Sequence, residues 1–346
     1  MPQTIFISSF DKGENAAIHA FSFNTNTGSL TATAKYTDIE RPFYLAKSPD
    51  NRCLYSIDKF SEGRVAAFQI VDGNGTLKRL NDQSAGGAAS CYLDVDKTGK
   101  TLVVANYSGG SIASMPIGKD GSLGEAKVVK QHGGSNIDPK RQGEPHAHCI
   151  KISPDNRFAY LADLGLDQIL IYSLSPDTST LTPHRQGFAR TLPGAGPRHL
   201  TFHPTRPLMY VINELHNSVT CFDYDVTNGY LFEQGTITTL PEGYTDRTHT
   251  ADIRITSNGK FLYGTNRGHD SIASYAIADN GGLSPIAIQC SGGAGPQNIA
   301  IIDDRWLLCA NMPGGNVNVF QIDQDSGKLT QTDHSVSIPS PSCIVV

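Results

Sequence analysis

One sequence pattern recurs seven times along this chain of 346 residues. Each copy contains a leucine that follows small, turn-forming residues, and consecutive leucines lie 46 to 58 residues apart. These leucines are Leu30, Leu77, Leu123, Leu181, Leu231, Leu283 and Leu329. Because a repeating unit of this length buries its apolar faces by stacking on its neighbours, the pattern constrains the whole chain to a repeat architecture.

Each copy has the pattern of four short β-strands. An alternating apolar segment such as Ile169–Tyr172 precedes each leucine, and this alternation is typical of a half-buried strand. Another apolar strand comes before it and ends in a polar residue, and these seven residues are Ser9, Asp58, Asn106, Asp163, Asn213, Asn266 and Asn311. A first strand and a turn such as Ser153–Asp155 come earlier still. Four strands in this order form one antiparallel blade of an all-β propeller.

The two ends of the chain complete the seventh copy. Residues 1–30 supply the second to fourth strands of a unit without a first strand, and residues 341–346 form a strand with no unit to follow it. We therefore predict that Ser342–Val346 pairs with the sheet begun by Thr4–Ser8, which closes the ring and removes both sheet edges. The prediction is one domain, residues 1–346, that folds as a seven-bladed β-propeller with four-stranded antiparallel blades.

Composition excludes several classes of function. The chain has 28 basic and 33 acidic residues and a net charge of −5, whereas a nucleic-acid binder usually carries a basic field. No apolar run approaches the roughly 18 residues that a membrane span needs. Seven scattered cysteines without a Cys-x-x-Cys pair indicate free, mostly buried thiols in a reducing compartment. We expect a cytoplasmic protein that binds neither nucleic acid nor membranes.

Two insertions predict where a site lies. The steps of 58 and 52 residues contain the extra segments Gln131–Glu144 and Pro241–Thr248, and each leads into a first strand. In a four-stranded antiparallel blade, the start of the first strand and the end of the second strand lie at the same face. Both insertions should therefore lie around the same mouth of the central channel.

Repeat position predicts the polar side chains at this mouth. Starts of first strands contribute His146, His148, Arg198, His199, Asp252 and Gln297, and the residues after second strands include Glu214, His216, Arg267 and His269. Arginine suits a carboxylate or phosphate, and a neutral histidine can accept a proton from water. The alternative for each residue is a structural role in capping a strand or satisfying a loop. His146 and His148 lack a third metal ligand at a diagnostic spacing, so we predict no metal and no cofactor.

Several of these segments resemble a known family. Glu144–His148, Gly194–Pro204, Tyr210–Leu215, Ala251–Ile253 and Tyr263–Arg267 are similar to segments of the seven-bladed propeller lactonases, and the resemblance extends over essentially the whole chain. That family includes the propeller type of 6-phosphogluconolactonase and the fungal-type 3-carboxy-cis,cis-muconate lactonising enzyme. The resemblance implies metal-independent hydrolysis of an anionic sugar lactone, most simply 6-phosphogluconolactone.

The resemblance also implies roles for four residues, which are His148, Arg198, Glu214 and Arg267. His148 would be the general base, the two arginines would hold the anionic group and the oxyanion, and Glu214 would orient a proton-bearing group or return the proton. His146, His199, Asp252 and Gln297 are the candidate substrate-binding residues. Two alternatives stay open, namely a carboxymuconate-lactonising cycloisomerase and a non-catalytic propeller that presents a binding surface.

Overall fold

A computed structural model describes residues 2–346, which form seven four-stranded antiparallel sheets and two 3-10 helices, Gly13–Asn15 and Phe60–Glu62. The predicted all-β, seven-bladed propeller is confirmed. Neither short helix in the described part of the chain has the length or apolar character needed to cross a membrane. The seven cysteines are free thiols, and all except Cys290 are buried.

The strands follow one another blade by blade. Blade 1 contains β1 (Pro2–Ser9), β2 (Ala17–Asn24) and β3 (Leu30–Tyr36) together with β28 (Pro341–Val345). Blade 2 contains β4 (Leu45–Lys47), β5 (Cys53–Asp58), β6 (Arg64–Ile70) and β7 (Leu77–Ser84). Blade 3 contains β8 (Ser90–Val95), β9 (Thr101–Asn106), β10 (Ser111–Pro116) and β11 (Val128–Gln131). Blade 4 contains β12 (Ala147–Ile152), β13 (Phe158–Asp163), β14 (Gln168–Ser175) and β15 (Thr180–Arg190).

The remaining three blades repeat this order. Blade 5 contains β16 (Pro197–Phe202), β17 (Leu208–Asn213), β18 (Ser218–Tyr224) and β19 (Leu231–Thr238). Blade 6 contains β20 (His249–Ile255), β21 (Phe261–Arg267), β22 (Ser271–Ile277) and β23 (Leu283–Cys290). Blade 7 contains β24 (Pro296–Ile302), β25 (Trp306–Asn311), β26 (Asn316–Ile322) and β27 (Leu329–Ser337). The first strand of each blade contacts the first strands of both neighbouring blades, so these seven strands surround the centre.

The chain ends close the ring as predicted. β28 pairs antiparallel with β1, with Phe6 opposite Val345 and Ile7 opposite Ile344. The side chains of Ser8 and Ser342 add a buried hydrogen bond of 2.9 Å. This pairing gives β1 a neighbour on its inner side and leaves blade 1 with the same four strands as the others.

One repeat marker departs from the pattern. Six of the seven leucines lie at or next to the start of an outer strand, but Leu123 forms only an isolated bridge with Ile117, and β11 starts at Val128. The strand that should pair with it, β10, ends at Pro116. Proline has no backbone N–H to donate, so the ladder is interrupted at this residue, and only the single bridge of Ile117 lies beyond it.

Consecutive blades are joined by buried apolar clusters and by one recurring hydrogen bond. A side chain of each second strand donates to a backbone carbonyl in the outer turn of the next blade. The seven donors are Thr4, Tyr55, Thr101, Tyr160, Tyr210, Tyr263 and Trp306. At one acceptor turn, Gly229 has φ +77°, and a Cβ there would lie 2.8 Å from the Phe158 ring, so only glycine fits. The sole tryptophan therefore has the same structural role as the tyrosines.

Candidate active site

A β-bulge at the start of the inner strand determines which side chains reach the site. Besides Ser342 in blade 1, one residue of this strand in each of blades 3, 4, 5 and 7 has no partner in the ladder. These residues are Cys91, His148, Arg198 and Gln297. A bulge bends the strand and redirects the side chain of the extra residue. Three of the four were predicted from repeat position, and the bulge gives the physical reason for their location.

Glu214 lies at the centre of the predicted residues. It follows β17 directly, and its carboxylate accepts hydrogen bonds from three guanidinium groups. Arg141 Nη2 donates to Oε1 at 2.6 Å, whereas Arg198 Nε at 2.9 Å and Arg267 Nη2 at 2.8 Å donate to Oε2. His148 Nε2 lies 3.9 Å from Oε2, beyond hydrogen-bond distance. The four residues assigned by resemblance are therefore in one cluster, together with Arg141.

This cluster has an excess of positive charge. Three guanidinium groups face one carboxylate, which leaves two positive charges in excess. Burial alone would raise the pKa of the Glu214 carboxyl, but Arg267 and Arg198 hold it well below its ordinary value. Burial lowers the pKa of Arg267 to about 10, so this arginine is still charged at neutral pH. The cluster is therefore suited to bind an anion.

His148 is a neutral imidazole beside these charges. Burial, with the nearby Arg198 and His199, holds the pKa of His148 well below its ordinary value. Its Nδ1 lies 3.9 Å from the Cys91 sulfur. Its Nε2 faces Glu214 and has no hydrogen-bond partner among the described residues. A neutral ring with one free nitrogen can accept a proton.

His199 and Asp252, two of the predicted substrate-binding residues, form a support behind Arg198. Both residues are buried. His199 Nδ1 donates to Asp252 Oδ1 at 2.8 Å, which leaves Nε2 to accept from Arg198 Nη1 at 3.2 Å. The other carboxylate oxygen of Asp252 accepts from Asn298 Nδ2 at 2.6 Å and from Ile299 N at 3.1 Å. These hydrogen bonds orient the guanidinium of Arg198, and contact of His199 or Asp252 with the substrate stays a prediction.

Arg267 is held by backbone and side-chain acceptors around it. Its Nη1 donates to Gln297 Oε1 at 3.3 Å, and its Nη2 also donates to the Thr250 carbonyl at 3.0 Å. The second insertion contributes Thr248, whose hydroxyl donates to the Arg267 carbonyl at 3.0 Å. Since the first insertion contributes Arg141, both insertions reach the same mouth, as predicted.

The other predicted histidines lie at the margin of the cluster. His146 stacks on Tyr107 with ring centroids 4.5 Å apart, and His148 meets the same tyrosine nearly perpendicularly at 5.2 Å. His216 and His269 each face a serine hydroxyl at the start of the neighbouring third strand. Within residues 2–346, no group of three or more histidine, cysteine, aspartate or glutamate side chains is arranged to hold a metal ion.

Sequence reasoning missed Tyr107 and Arg141. Tyr107 directly follows the polar residue that ends β9, which is the repeat position that Glu214 occupies after β17. That signal was available from the alignment of the repeats. Arg141 lies in the long insertion, where no repeat position identifies one residue among its neighbours.

Comparisons with known proteins identify a family that covers almost the whole chain. The family described as "Lactonase, 7-bladed beta-propeller" matches residues 4–346. A 6-phosphogluconolactonase of Bacillus subtilis is 32% identical over 98% of this chain and 97% of its own length. A 6-phosphogluconolactonase of Formosa agariphila is also 32% identical, over 98% of both chains. The solved structure of a periplasmic gluconolactonase of Pseudomonas aeruginosa superposes with a TM-score of 0.94 at 27% identity, and covers 100% of this chain and 99% of that one.

Proposed function

The chain belongs to the seven-bladed β-propeller lactonase family and is a lactone-hydrolysing enzyme, and we propose that its substrate is 6-phosphogluconolactone. The observation that carries this proposal is the group of three guanidiniums beside a neutral histidine. A phosphorylated sugar lactone needs both parts, because its phosphate requires cations and its carbonyl requires an activated water. The relatives named 6-phosphogluconolactonase support the same substrate.

In the proposed mechanism, His148 is the general base. Its Nε2 takes a proton from water as the water oxygen attacks the lactone carbonyl carbon. The carbonyl oxygen becomes negative, and the buried guanidinium of Arg198 stabilises it. The acyl–oxygen bond of the ring then breaks, and the imidazolium returns its proton to the departing ring oxygen. The products are a carboxylic acid, which ionises, and a free hydroxyl group.

Glu214 then acts by orientation rather than by proton transfer. Since three arginines hold its pKa well below its ordinary value, the carboxylate is ionised and is a poor proton donor. The carboxylate accepts hydrogen bonds from all three guanidiniums and so holds them in fixed positions around it. Of the two roles implied by the family resemblance, this geometry favours the orienting one.

The charge of the substrate also affects the pKa of His148. The positive charge of Arg198 contributes to the low pKa of the imidazole. An anion bound to the guanidiniums offsets that charge, so the pKa of His148 rises when substrate binds. The base therefore becomes stronger in the complex than in the free enzyme.

We further propose that the reaction needs no metal and that residues 1–346 act as one domain in the cytoplasm. The guanidinium groups supply the electrostatic stabilisation that a cation would otherwise supply. The seven free thiols support a reducing compartment. Fractionation of the source cells, followed by detection of the protein in each fraction, tests the location.

A hydrolysis assay tests the substrate. The purified protein is offered 6-phosphogluconolactone, unphosphorylated gluconolactone and carboxymuconolactone, with correction for spontaneous ring opening. We expect the highest kcat/KM with the phosphorylated lactone. Preference for carboxymuconolactone would favour the lactonising alternative, and no turnover of any of the three would favour a binding function.

A further inference from the structure

The two oxygens of Glu214 divide the cluster into two sides. Arg198, Arg267 and His148 all face Oε2, whereas Arg141 alone bonds to Oε1. The lactone carbonyl must lie near His148, so it lies on the Oε2 side. A substrate group on the Oε1 side is therefore separated from the reacting carbon and faces Arg141.

Arg141 also has the most unused hydrogen-bonding capacity of the three arginines. All three nitrogens of the Arg267 guanidinium donate to protein acceptors. Arg198 uses Nε and Nη1, and its side chain is only 1% exposed. Arg141 uses only Nη2, and its side chain is 30% exposed. Its Nε and Nη1 have no partner among residues 2–346 and can bind two oxygens of an incoming anion.

The loop that carries Arg141 is fixed by its neighbour Gln142. This glutamine is fully buried, and its Nε2 donates to the Leu164 carbonyl at 3.0 Å and to Asp167 Oδ1 at 2.6 Å. A turn from Asp138 supports it, because the Arg141 N–H donates to Asp138 Oδ1 at 3.2 Å. Arg141 is therefore positioned before substrate arrives, which lowers the entropy cost of binding.

Asp167 connects this loop to the strand that carries Arg198. Its Oδ2 accepts from Gly194 N at 2.6 Å, and its Oδ1 accepts from Gly196 N at 2.7 Å. These glycines lie immediately before β16. One buried carboxylate thus sets the positions of both segments, and through them the spacing between Arg141 and Arg198.

We propose that Arg141 is the specificity residue that binds the phosphate of the substrate and distinguishes a phosphorylated lactone from its neutral analogue. This inference rests on the proposed function, which requires cations for the phosphate, and it assigns the phosphate contact to one of the three arginines. Arg198 and Arg267 act near the reacting carbon, and Arg141 acts at the distal group. A charge-assisted hydrogen bond contributes enough to change affinity about ten- to a hundredfold.

The test compares three variants on two lactones. Arg141→Gln removes the charge, Arg141→Lys keeps the charge but loses the planar fork, and Lys140→Gln removes an exposed charge from the same loop as a matched control. We expect Arg141→Gln to raise KM for 6-phosphogluconolactone about tenfold or more and to change KM for gluconolactone less than about threefold. For Arg141→Lys, we expect a KM for 6-phosphogluconolactone between those of the wild type and Arg141→Gln. Lys140→Gln should have the KM values of the wild type. Unchanged melting temperatures exclude misfolding.

Binding of the products separates this inference from the proposed function. Calorimetric titration with 6-phosphogluconate and with gluconate needs no turnover, and the two ligands differ only in the phosphate. If the wild type hydrolyses neither lactone but Arg141→Gln weakens only 6-phosphogluconate, the proposed function is wrong and the role of Arg141 stands. The inference is overturned if Arg141→Gln loses affinity equally for the charged and the neutral compound, or if Lys140→Gln loses as much affinity as Arg141→Gln. Either result leaves the proposed function intact.

Discussion

Arginine–carboxylate pairs occur at both faces of the propeller, and they differ in burial and in sequence separation. At the face opposite the site, Arg52 pairs with Asp50 and Arg157 pairs with Asp155 within single turns, and these arginines are 75% and 51% exposed. At the site, the partners of Glu214 lie 16, 53 and 73 residues away, and the carboxylate is 6% exposed.

The same pair of residue types thus has two different uses. The exposed pairs stabilise turns locally, because the serine that begins each turn also donates to the aspartate. The pairs of Glu214 join blades 5 and 6 and an insertion before blade 4. Solvent screens the first kind, whereas burial makes the second kind sensitive to the loss of either partner.

The largest expected effect of a substitution is therefore at Glu214. In Glu214→Gln, three guanidiniums lose their buried counter-charge, and we expect a loss of about 3 kcal/mol or more in the free energy of unfolding, together with most of the activity. The matched control is Asp155→Asn, whose melting temperature should change little. Denaturant unfolding of both variants measures the difference, and equal small changes would contradict the contrast between the two faces.

Acid should reduce the difference in unfolding free energy by which the wild type is more stable than Glu214→Gln. The folded-state pKa of Glu214 is well below the ordinary value of 4.5, so its contribution to stability is fully present above that value. It is lost as the pH falls through the lower folded-state pKa. The difference in unfolding free energy between the two proteins should therefore stay constant from neutral pH to about 4.5 and decrease only below it.

His148→Ala should have the next largest effect, confined to turnover. A general base contributes in the transition state, so we expect kcat to fall about a hundredfold or more with little change in KM. His146→Ala is the matched control, because His146 packs against the same tyrosine without facing Glu214. Steady-state kinetics of both variants would contradict the assignment if His146→Ala lost as much turnover as His148→Ala.

Arg267→Ala should have a smaller effect that depends on substrate charge. Removal of one positive charge beside the binding site weakens the attraction for a phosphate more than for a hydroxyl group. Because Arg267 faces the reacting carbon rather than the distal phosphate, we expect KM for 6-phosphogluconolactone to rise only about threefold, less than in Arg141→Gln, and KM for gluconolactone to rise less still. The measurement is repeated at high salt, where screening should narrow the difference between the two lactones.

The pH dependence of kcat and kcat/KM should report the low pKa of His148. Its pKa is well below the ordinary 6.5, so the acidic limb of kcat/KM, which reports the free enzyme, should lie below pH 6.5. Substrate binding raises this pKa, so the acidic limb of kcat should lie at higher pH than that of kcat/KM. Coincident limbs near pH 6.5 would contradict both the low pKa and its dependence on substrate charge.

The smallest expected effect is that of chelation. Since the guanidinium groups supply the positive charge at the site, dialysis against EDTA should leave kcat and KM unchanged. Loss of activity that a divalent cation restores would show that a metal takes part.

The sequence predicted the repeating pattern of strands. It did not predict where a single blade departs from that pattern. The polar residues that end the second strands, such as Asn213 and Asn311, lie where the alignment placed them, because every blade must turn at the same depth. The late start of β11 was not predicted. It depends on Pro116 in the neighbouring strand, and the leucine pattern alone carries no information about its partner.

Prediction of the site was limited in the same way. Repeat position found Glu214 and Arg267 because they lie at strand ends that the pattern fixes. It did not show the hydrogen bonds that link Asp252 to His199 and His199 to Arg198, since bulges rather than simple alternation decide where the inner-strand side chains point. Arg141 lies in a segment without a repeat, and only its contact with Glu214 reveals it.

The closure of the ring by β28 also fixes when the protein can finish folding. Among the described strands, β1 is synthesised first and β28 last, so blade 1 cannot be completed until the strands of the other six blades have been made. Until then, the nascent chain is an open arc, and β1 exposes unpaired backbone groups at its inner edge. Completion of the ring is therefore the last step of strand pairing, and until that step the inner edge of β1 stays open to pairing with other chains.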